Sequence, residues 1–169
     1  MSNSPFVLNV HDLMHKPGQM REVELDVKLA TAMGNGATEI TAGDLVELDL
    51  RLESVHEGIL ATADVFAEAK AECSRCLDPV VHEVEVDFQE LFTYSYTSED
   101  EPVIVDEAID LEQAVLDAVV LNLPLQPICS PDCLGLCPDC GYRMADDPTH
   151  QHEAPIDSRW SELKNLKED

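Results

Sequence analysis

The sequence has few basic residues and no long apolar run. Of its 169 residues, 10 are Lys or Arg and 35 are Asp or Glu, which gives a formal net charge of −25. A free-standing nucleic-acid-binding protein normally carries a basic surface, so this composition argues against that class. No apolar stretch reaches the roughly 18 residues of a transmembrane helix. The first residues carry no basic or apolar stretch, so we expect no signal peptide and a cytoplasmic protein.

Basic residues are missing altogether from the middle of the chain. Residues 76–142 contain no Lys or Arg but fifteen Asp or Glu. Phosphate contacts need Lys, Arg or exposed backbone amides, so this stretch is expected to repel RNA and DNA. The acidity has two interpretations that the sequence leaves open. It is either an ordinary solvated surface or a surface complementary to a basic partner.

Apolar and polar residues alternate along four segments, as is typical of half-buried strands. The segments are 23–29, 44–55, 59–71 and 80–88. Glu57 and Gly58 separate the second segment from the third and predict a hairpin turn. The alanines of the third segment are compatible with a helix, but a period of two favours a strand. The predicted fold class is α+β, mainly an antiparallel sheet with one wet face.

One helix is predicted near 110–123. Asp110 is the predicted N-cap, with Gln113 at the third helical position, and Pro124 ends the helix. A second short helix is predicted over 158–166, and 97–107 is predicted as a loop. The domain prediction is a β-rich core over 1–127, followed by a Cys- and His-rich tail over 128–169 that packs on the core through Cys73 and Cys76.

All six cysteines fall into two clusters. Cys73 and Cys76 form one C-x2-C pair, and four more cysteines follow in the tail at 129, 133, 137 and 140. A reducing cytosol disfavours a disulfide framework. Two C-x2-C pairs far apart in sequence are instead typical of zinc binding, because each tight turn brings two thiolates to one ion. Dithiol redox chemistry is the weaker alternative.

Counting ligands leaves the number of zinc ions at one or two. His150 and His152 lie close behind Cys140 and would complete two tetrahedral sites. The eight candidate ligands are Cys73, Cys76, Cys129, Cys133, Cys137, Cys140, His150 and His152. The first pair could join either Cys137 and Cys140 or Cys129 and Cys133. A single site with spare residues is also compatible, and both histidines could be ordinary surface residues.

The predicted zinc is structural, and the protein is predicted not to be an enzyme. Four protein ligands leave no open coordination position, whereas catalytic zinc needs one. The sequence contains no nucleophile elbow, phosphate-binding glycine loop or H-E-x-x-H motif. The remaining histidines, His11, His15, His56 and His82, lie away from the cysteines in sequence and are expected to be ordinary surface or strand residues.

Three ordered segments resemble the bacterial YceD family, the large ribosomal RNA subunit accumulation proteins. They are AECSRCL at 71–77, LNLPLQPIC at 121–129 and CLGLCPDCG at 133–141. Residues 6–18 and 156–166 fit the same family. Many members carry C-x-C after the C-P-x-C-G turn, and here His150 and His152 stand in that place, which favours them as ligands. The resemblance implies a role in accumulation of large-subunit ribosomal RNA and no established enzymatic activity.

The resemblance and the charge together predict a factor that acts through proteins. The expected partners are basic ribosomal or assembly proteins, with an apolar contact at Leu134, Leu136 and Tyr142 near the cysteine turns. Direct RNA binding is expected to be weak or absent, because the few basic residues near the C-terminus are interleaved with acidic ones. A zinc-ribbon RNA-binding protein is the alternative, and a dithiol redox protein is a further one.

Overall fold

The computed structural model describes residues 4–95 and 101–152. Eight strands and one helix are assigned within these ranges. In chain order they are β1 (Val7–Asn9), β2 (Met20–Lys28), β3 (Met33–Gly34), β4 (Thr38–Ile40), β5 (Leu45–Ser54), β6 (Gly58–Glu72), β7 (Pro79–Thr93), β8 (Ala108–Asp110) and α1 (Glu112–Asn122). The predicted short helix over 158–166 lies outside the described residues.

The two longest strands, β6 and β7, are neighbours in a six-stranded antiparallel sheet, in which, among the described strands, β7 pairs only with β6. They pair along their full length, from Gly58 opposite Thr93 to Glu72 opposite Pro79. Strand β5 pairs with the first part of β6, and β4 pairs with its last part. Strand β2 lies outside β5, and β3 lies outside β4. Strands β1 and β8 form a separate two-stranded sheet.

One face of the main sheet carries the core. Residues of β5 alternate strictly, with Val46, Leu48 and Leu50 buried and the residues between them exposed. Helix α1 contributes Val115 and Val119 to the same core. This pattern confirms the predicted α+β fold, mainly an antiparallel sheet with one wet face. The four predicted strands correspond to β2, β5, β6 and β7.

The predicted start of the helix is wrong by one residue. Asp110 ends β8, and Leu111 is the N-cap, with no side-chain capping bond. The Asp110 carboxylate still accepts a hydrogen bond from the amide of Glu112 at 3.0 Å. Gln113 does not reach back to the cap, because its amide donates to Asp117 at 2.8 Å. Because Asp110 pairs with Val7 in the small sheet, the helix begins only after Asp110.

Residues 101–107 connect β7 to β8 without a strand of their own, as the loop prediction expected, and 97–100 lie outside the described residues. The loop ends in a two-residue turn at Asp106 and Glu107, both at positive φ. His11 contacts Glu107 there at 3.0 Å. Among the described residues, no helix has the length and hydropathy that crossing a membrane requires.

Candidate metal centres

The first cysteine set joins the sheet to the tail. Cys73 and Cys76 lie on the turn between β6 and β7, and Cys129 and Cys133 lie on the segment that follows α1. The four sulfur atoms lie within 4.8 Å of one another. Cys73 and Cys76 are buried, whereas Cys133 is half-buried and Cys129 is exposed. Two segments distant in sequence therefore meet at one cluster of thiols.

The sulfur spacing fits a tetrahedral ion and does not fit disulfides. The Sγ atoms of Cys73 and Cys133 are 3.8 Å apart, and those of Cys76 and Cys129 are 3.6 Å apart. Sulfurs bound to one zinc ion at about 2.3 Å in tetrahedral geometry lie about 3.8 Å from one another. A disulfide needs sulfurs about 2.05 Å apart. The donor set therefore fits a zinc-type ion.

Backbone hydrogen bonds shape the turn that presents Cys73 and Cys76. The amide of Leu77 donates to the carbonyl of Cys73 at 2.9 Å, and the amide of Cys73 donates to the carbonyl of Asp78 at 2.8 Å. The tail is held against this turn by Arg75. Its guanidinium donates to the carbonyls of Pro131 and Cys133 at 3.2 and 3.0 Å.

The pKa values of the two buried thiols shift in opposite directions. The backbone amide of Cys76, with those of Cys129 and Arg75, lowers the pKa of Cys73 to about 6 despite burial. The amide of Asp78 lowers the pKa of Cys76, but burial and the neighbouring sulfurs outweigh it and raise the pKa to about 12. Thiolates this close repel one another, and a bound cation removes that repulsion.

The second set lies within the tail. Cys137, Cys140, His150 and His152 offer ligand atoms within 4.8 Å of one another. The Sγ of Cys140 is 3.2 Å from the Nε2 of His150 and 3.1 Å from that of His152. The two imidazole nitrogens are 2.9 Å apart. Two thiols and two imidazoles are a donor set that suits zinc.

The amides of the Cys137–Cys140 turn support its first thiol. The backbone amides of Asp139 and Cys140 lower the pKa of Cys137. The amide of Gly141, at φ 72°, donates to the carbonyl of Cys137 at 2.8 Å. Tyr142 stacks on the ring of His150, with centroids 4.5 Å apart. The C-x2-C turn and a stacked imidazole are thus placed together by contacts within the tail.

The structure selects one of the partitions that the sequence left open. Cys73 and Cys76 meet Cys129 and Cys133, not Cys137 and Cys140. All eight predicted ligands fall into the two groups, and either group could hold a metal ion. Binding by each residue stays a prediction. The other histidines are elsewhere: His11 contacts Glu107, and His15 stacks on Tyr94.

Sequence reasoning missed the residues that dock the tail. The amide of Leu136 donates to the carbonyl of Arg75 at 2.9 Å, and Gly135 lies directly beside that carbonyl. Arg143 forms an ion pair with Asp78. The glycine and the two arginines carry no distinctive motif. The only available signal was their position inside the cysteine-rich segments.

The ordered cysteine turns agree with a family match over most of the chain. The model of the family described as large ribosomal RNA subunit accumulation protein YceD matches residues 61–167. The chain belongs to the YceD family. The matched range includes both candidate metal centres, together with most of strand β6, strand β7 and helix α1. The family match therefore covers the part of the chain that holds the cysteines, and the family description indicates a link to ribosomal RNA accumulation.

Relatives of this YceD-family protein occur in mycobacteria. It is 45% identical to an uncharacterized protein of Mycobacterium tuberculosis strain H37Rv, over 96% of this chain and 82% of the relative. An uncharacterized protein of Mycobacterium bovis matches equally well. One from Mycobacterium leprae is 38% identical, over 96% of this chain and 78% of the relative. No solved structure matches the chain.

Proposed function

We propose that this protein is a zinc-stabilised, non-enzymatic cytoplasmic factor that supports accumulation of large-subunit ribosomal RNA by holding basic ribosomal or assembly proteins. Family membership supports the ribosomal RNA theme. The two ligand sets support zinc, since each supplies four protein ligands. An ion with four protein ligands has no open position for a substrate, which supports a structural role.

The observation that carries the choice of basic partners is a row of carboxylates across the wet face of the sheet. Glu24 lies opposite Asp49, Asp49 opposite Asp64, and Asp64 opposite Asp87. All four are exposed. Side chains directly opposite on neighbouring strands approach within about 5 Å, and like charges there destabilise the sheet. A cationic partner would remove this repulsion.

The neighbouring row adds an aromatic ring to the same face. Phe66 lies between Glu47 and Glu85 on the adjacent strands and is half-buried. It borders a recess of ≈ 430 Å³ whose rim also carries Glu68 and Glu83. An aromatic face beside carboxylates suits the cation and apolar stem of Lys or Arg, through cation–π and charge-assisted contacts. The chemistry of the face thus favours protein side chains over phosphates.

Two basic side chains of this face are already engaged. Arg51 pairs with Glu53 at 2.9 Å, and Lys70 pairs with Asp44 at 2.7 Å. Arg143, one of the residues available for the alternative RNA-binding function, pairs with Asp78. These pairings reduce the basic charge that is free near the acidic rows and weaken the case for RNA. Leu134 and Tyr142, which are 56% and 40% exposed, are candidate apolar contacts for the same partners.

The proposed function is tested first in cells. Depletion is expected to reduce large-subunit ribosomal RNA relative to small-subunit RNA, and wild-type protein should restore it. An unchanged ratio of the two RNAs after complete depletion would contradict the function. Metal analysis of the freshly purified protein distinguishes the zinc-stabilised factor from the redox alternative, because a dithiol redox protein would contain no stoichiometric zinc.

Partner choice is tested with purified, metal-loaded protein. The probe is a fluorescein-labelled peptide of alternating lysine and alanine, followed by fluorescence anisotropy at increasing salt. The triple variant Asp49→Asn, Asp64→Asn, Asp87→Asn is expected to bind about tenfold more weakly, or ~1.4 kcal/mol. The control with the same charge change, Glu101→Gln, Asp106→Asn, Glu112→Gln, lies off this face and should bind nearly as the wild type does.

Three results of the partner experiment decide against this proposal. Equal weakening by both triple variants would show attraction by net charge alone. Displacement of the peptide by calcium, but not by sodium at equal ionic strength, would identify a cation site. Tight, saturable binding of naked ribosomal RNA with no binding of the peptide would favour the RNA-binding alternative.

A further inference from the structure

The two candidate centres differ in how far apart in sequence their ligands lie. In the first, Cys73 and Cys133 are 60 residues apart, and Cys76 and Cys129 are 53 apart. In the second, Cys140 lies 10 residues from His150 and 12 from His152. Breaking the first centre removes a link between the tail and the β6–β7 turn, whereas breaking the second removes a link within the tail.

The two centres also differ in access from solvent. In the first centre Cys73 is 0% exposed and Cys76 is 8% exposed, Cys133 is half-buried, and only Cys129 is exposed. In the second centre Cys137 is buried, but Cys140 and His152 are exposed and His150 is half-buried. Ligand exchange at a metal proceeds through an incoming donor atom, so the second centre presents more open edges.

The hydrogen bonds around the two centres differ in the same way, with long-range bonds at the first centre and local bonds at the second. The first centre has the amide of Cys129 directed at the sulfur of Cys73 at 3.4 Å, and Ser74 donates to the carbonyl of Pro127 on the tail. Among the described residues, the histidine loop is held by local bonds instead. The amides of Thr149 and His150 both donate to Asp147 at about 3 Å.

From these differences we propose that the second centre is an exchangeable zinc site, while the first holds its ion permanently. This inference rests on the zinc binding of the proposed function. The ligand chemistry agrees, since four thiolates bind zinc as a closed soft cage, whereas two neutral imidazoles with two thiolates accept a wider range of divalent ions. Occupancy of the second centre then follows the availability of free zinc.

The exchange has a structural consequence at Tyr142. Its ring stacks on His150, and it is 40% exposed. The backbone carbonyl of Tyr142 accepts from the amide of Cys137 at 2.7 Å, which holds the Tyr142 backbone at the cysteine turn. When zinc leaves, His150 loses the bond that fixes its ring, and Tyr142 loses its stacking partner. The surface around Tyr142 is therefore ordered only in the zinc-loaded form.

The test loads the full-length protein with cobalt, whose visible absorption distinguishes four-sulfur from two-sulfur, two-nitrogen coordination. EDTA is then added in less than stoichiometric amount. We expect two ions per chain, with the two-sulfur, two-nitrogen absorption lost about tenfold faster than the four-sulfur absorption. Hydrogen exchange on the zinc-loaded protein, with the same amount of EDTA, should rise in 137–152 and stay unchanged in β6 and β7.

Variants assign each rate to a centre. Cys140→Ser should retain one ion with the slow release rate and a folded sheet, and His56→Ala, which changes an exposed histidine away from both centres, should match the wild type. Equal release rates, or earlier loss of the four-sulfur absorption, would overturn the inference while leaving zinc binding intact. Protein purified without any zinc that also fails to bind cobalt would instead contradict the proposed zinc binding itself.

Discussion

Leu77 and Gly141 occupy the same position in two C-x2-C turns. Each follows the second cysteine of a C-x2-C pair, at φ 63° for Leu77 and 72° for Gly141. Each donates its amide to the carbonyl of the first cysteine, at 2.9 and 2.8 Å. Glycine adopts this conformation without strain, whereas another residue incurs about 1–2 kcal/mol. The first turn therefore carries strain that the second avoids.

Replacement of this leucine is expected to stabilise the protein. Leu77→Gly relieves the strained φ and loses little burial, since Leu77 is 59% exposed. Glycine adds about 0.5–1 kcal/mol of unfolded-state entropy, so we expect a net gain of about 0.5 kcal/mol in urea unfolding of the metal-loaded protein. Gly141→Leu, the reverse change, should destabilise. A less stable Leu77→Gly protein would show that the leucine side chain contributes more than the strain removes.

Alternation of apolar and polar residues predicted strands β2, β5, β6 and β7, because each is long enough to show a period of two. Strands β1, β3, β4 and β8 span only two or three residues, too short for any periodicity. The pairing of Cys73 and Cys76 with Cys129 and Cys133 was likewise beyond the sequence. It depends on where the tail crosses the β6–β7 turn, which Arg75 and Gly135 fix through backbone contacts.

Gly135 is expected to be essential for docking of the tail. A Cβ there would lie 3.0 Å from the carbonyl oxygen of Arg75 and 3.2 Å from its Cβ, at φ +75°. Gly135→Ala should lower stability by about 1–3 kcal/mol more than a change without a clash, and it should speed release of the ion held by the first centre. Chemical unfolding and chelator kinetics measure the two effects.

Gly43→Ala is the matched control for this glycine. It has φ +91° and no atom within 4 Å of an added Cβ, so it isolates the effect of the positive φ. If Gly135→Ala and Gly43→Ala are equally destabilised, and metal release is unchanged, the close approach to Arg75 does not hold the tail.

Loss of the first centre is expected to lower the stability of the protein more than loss of any single hydrogen bond in its turn. Cys76→Ser should remove one zinc ion per chain and strongly lower the unfolding temperature, since a structural zinc contributes about 10–16 kcal/mol of binding free energy. Ser74→Ala, which removes only the bond to the carbonyl of Pro127, should cost about 0.5–1.5 kcal/mol. Calorimetry with metal analysis compares them. A Cys76→Ser protein that loses one zinc ion but melts no lower than Ser74→Ala would contradict this ranking.

Asp44 is expected to make stability depend on pH in the acid range. Hydrogen bonds from Lys70 and then Thr41 lower the pKa of Asp44 below its ordinary value of 3.8. The ionised carboxylate therefore stabilises the folded state above pH 3.8, and this contribution is lost as the pH falls through the lower folded value. The stability difference between wild type and Asp44→Asn should shrink over that range.

Urea unfolding of both proteins at a series of pH values measures this difference. Any metal lost in acid is lost from both proteins alike, so the difference reports Asp44 and its partners. A difference that stays constant down to the lowest pH would show that Lys70 and Thr41 do not stabilise the charged carboxylate.

The turn between β6 and β7 also sets an order of events during synthesis. Half of the first ligand set is complete once this hairpin pairs, but Cys129 follows Cys76 by 53 residues. At about 5–20 residues per second, the second half leaves the ribosome roughly 3–10 s later. Until then, Cys73 and Cys76 lack the two ligands and the backbone contacts that the tail supplies. A chain truncated before Cys129 therefore contains only half of the first ligand set, so this set can close only after residue 133 has been made.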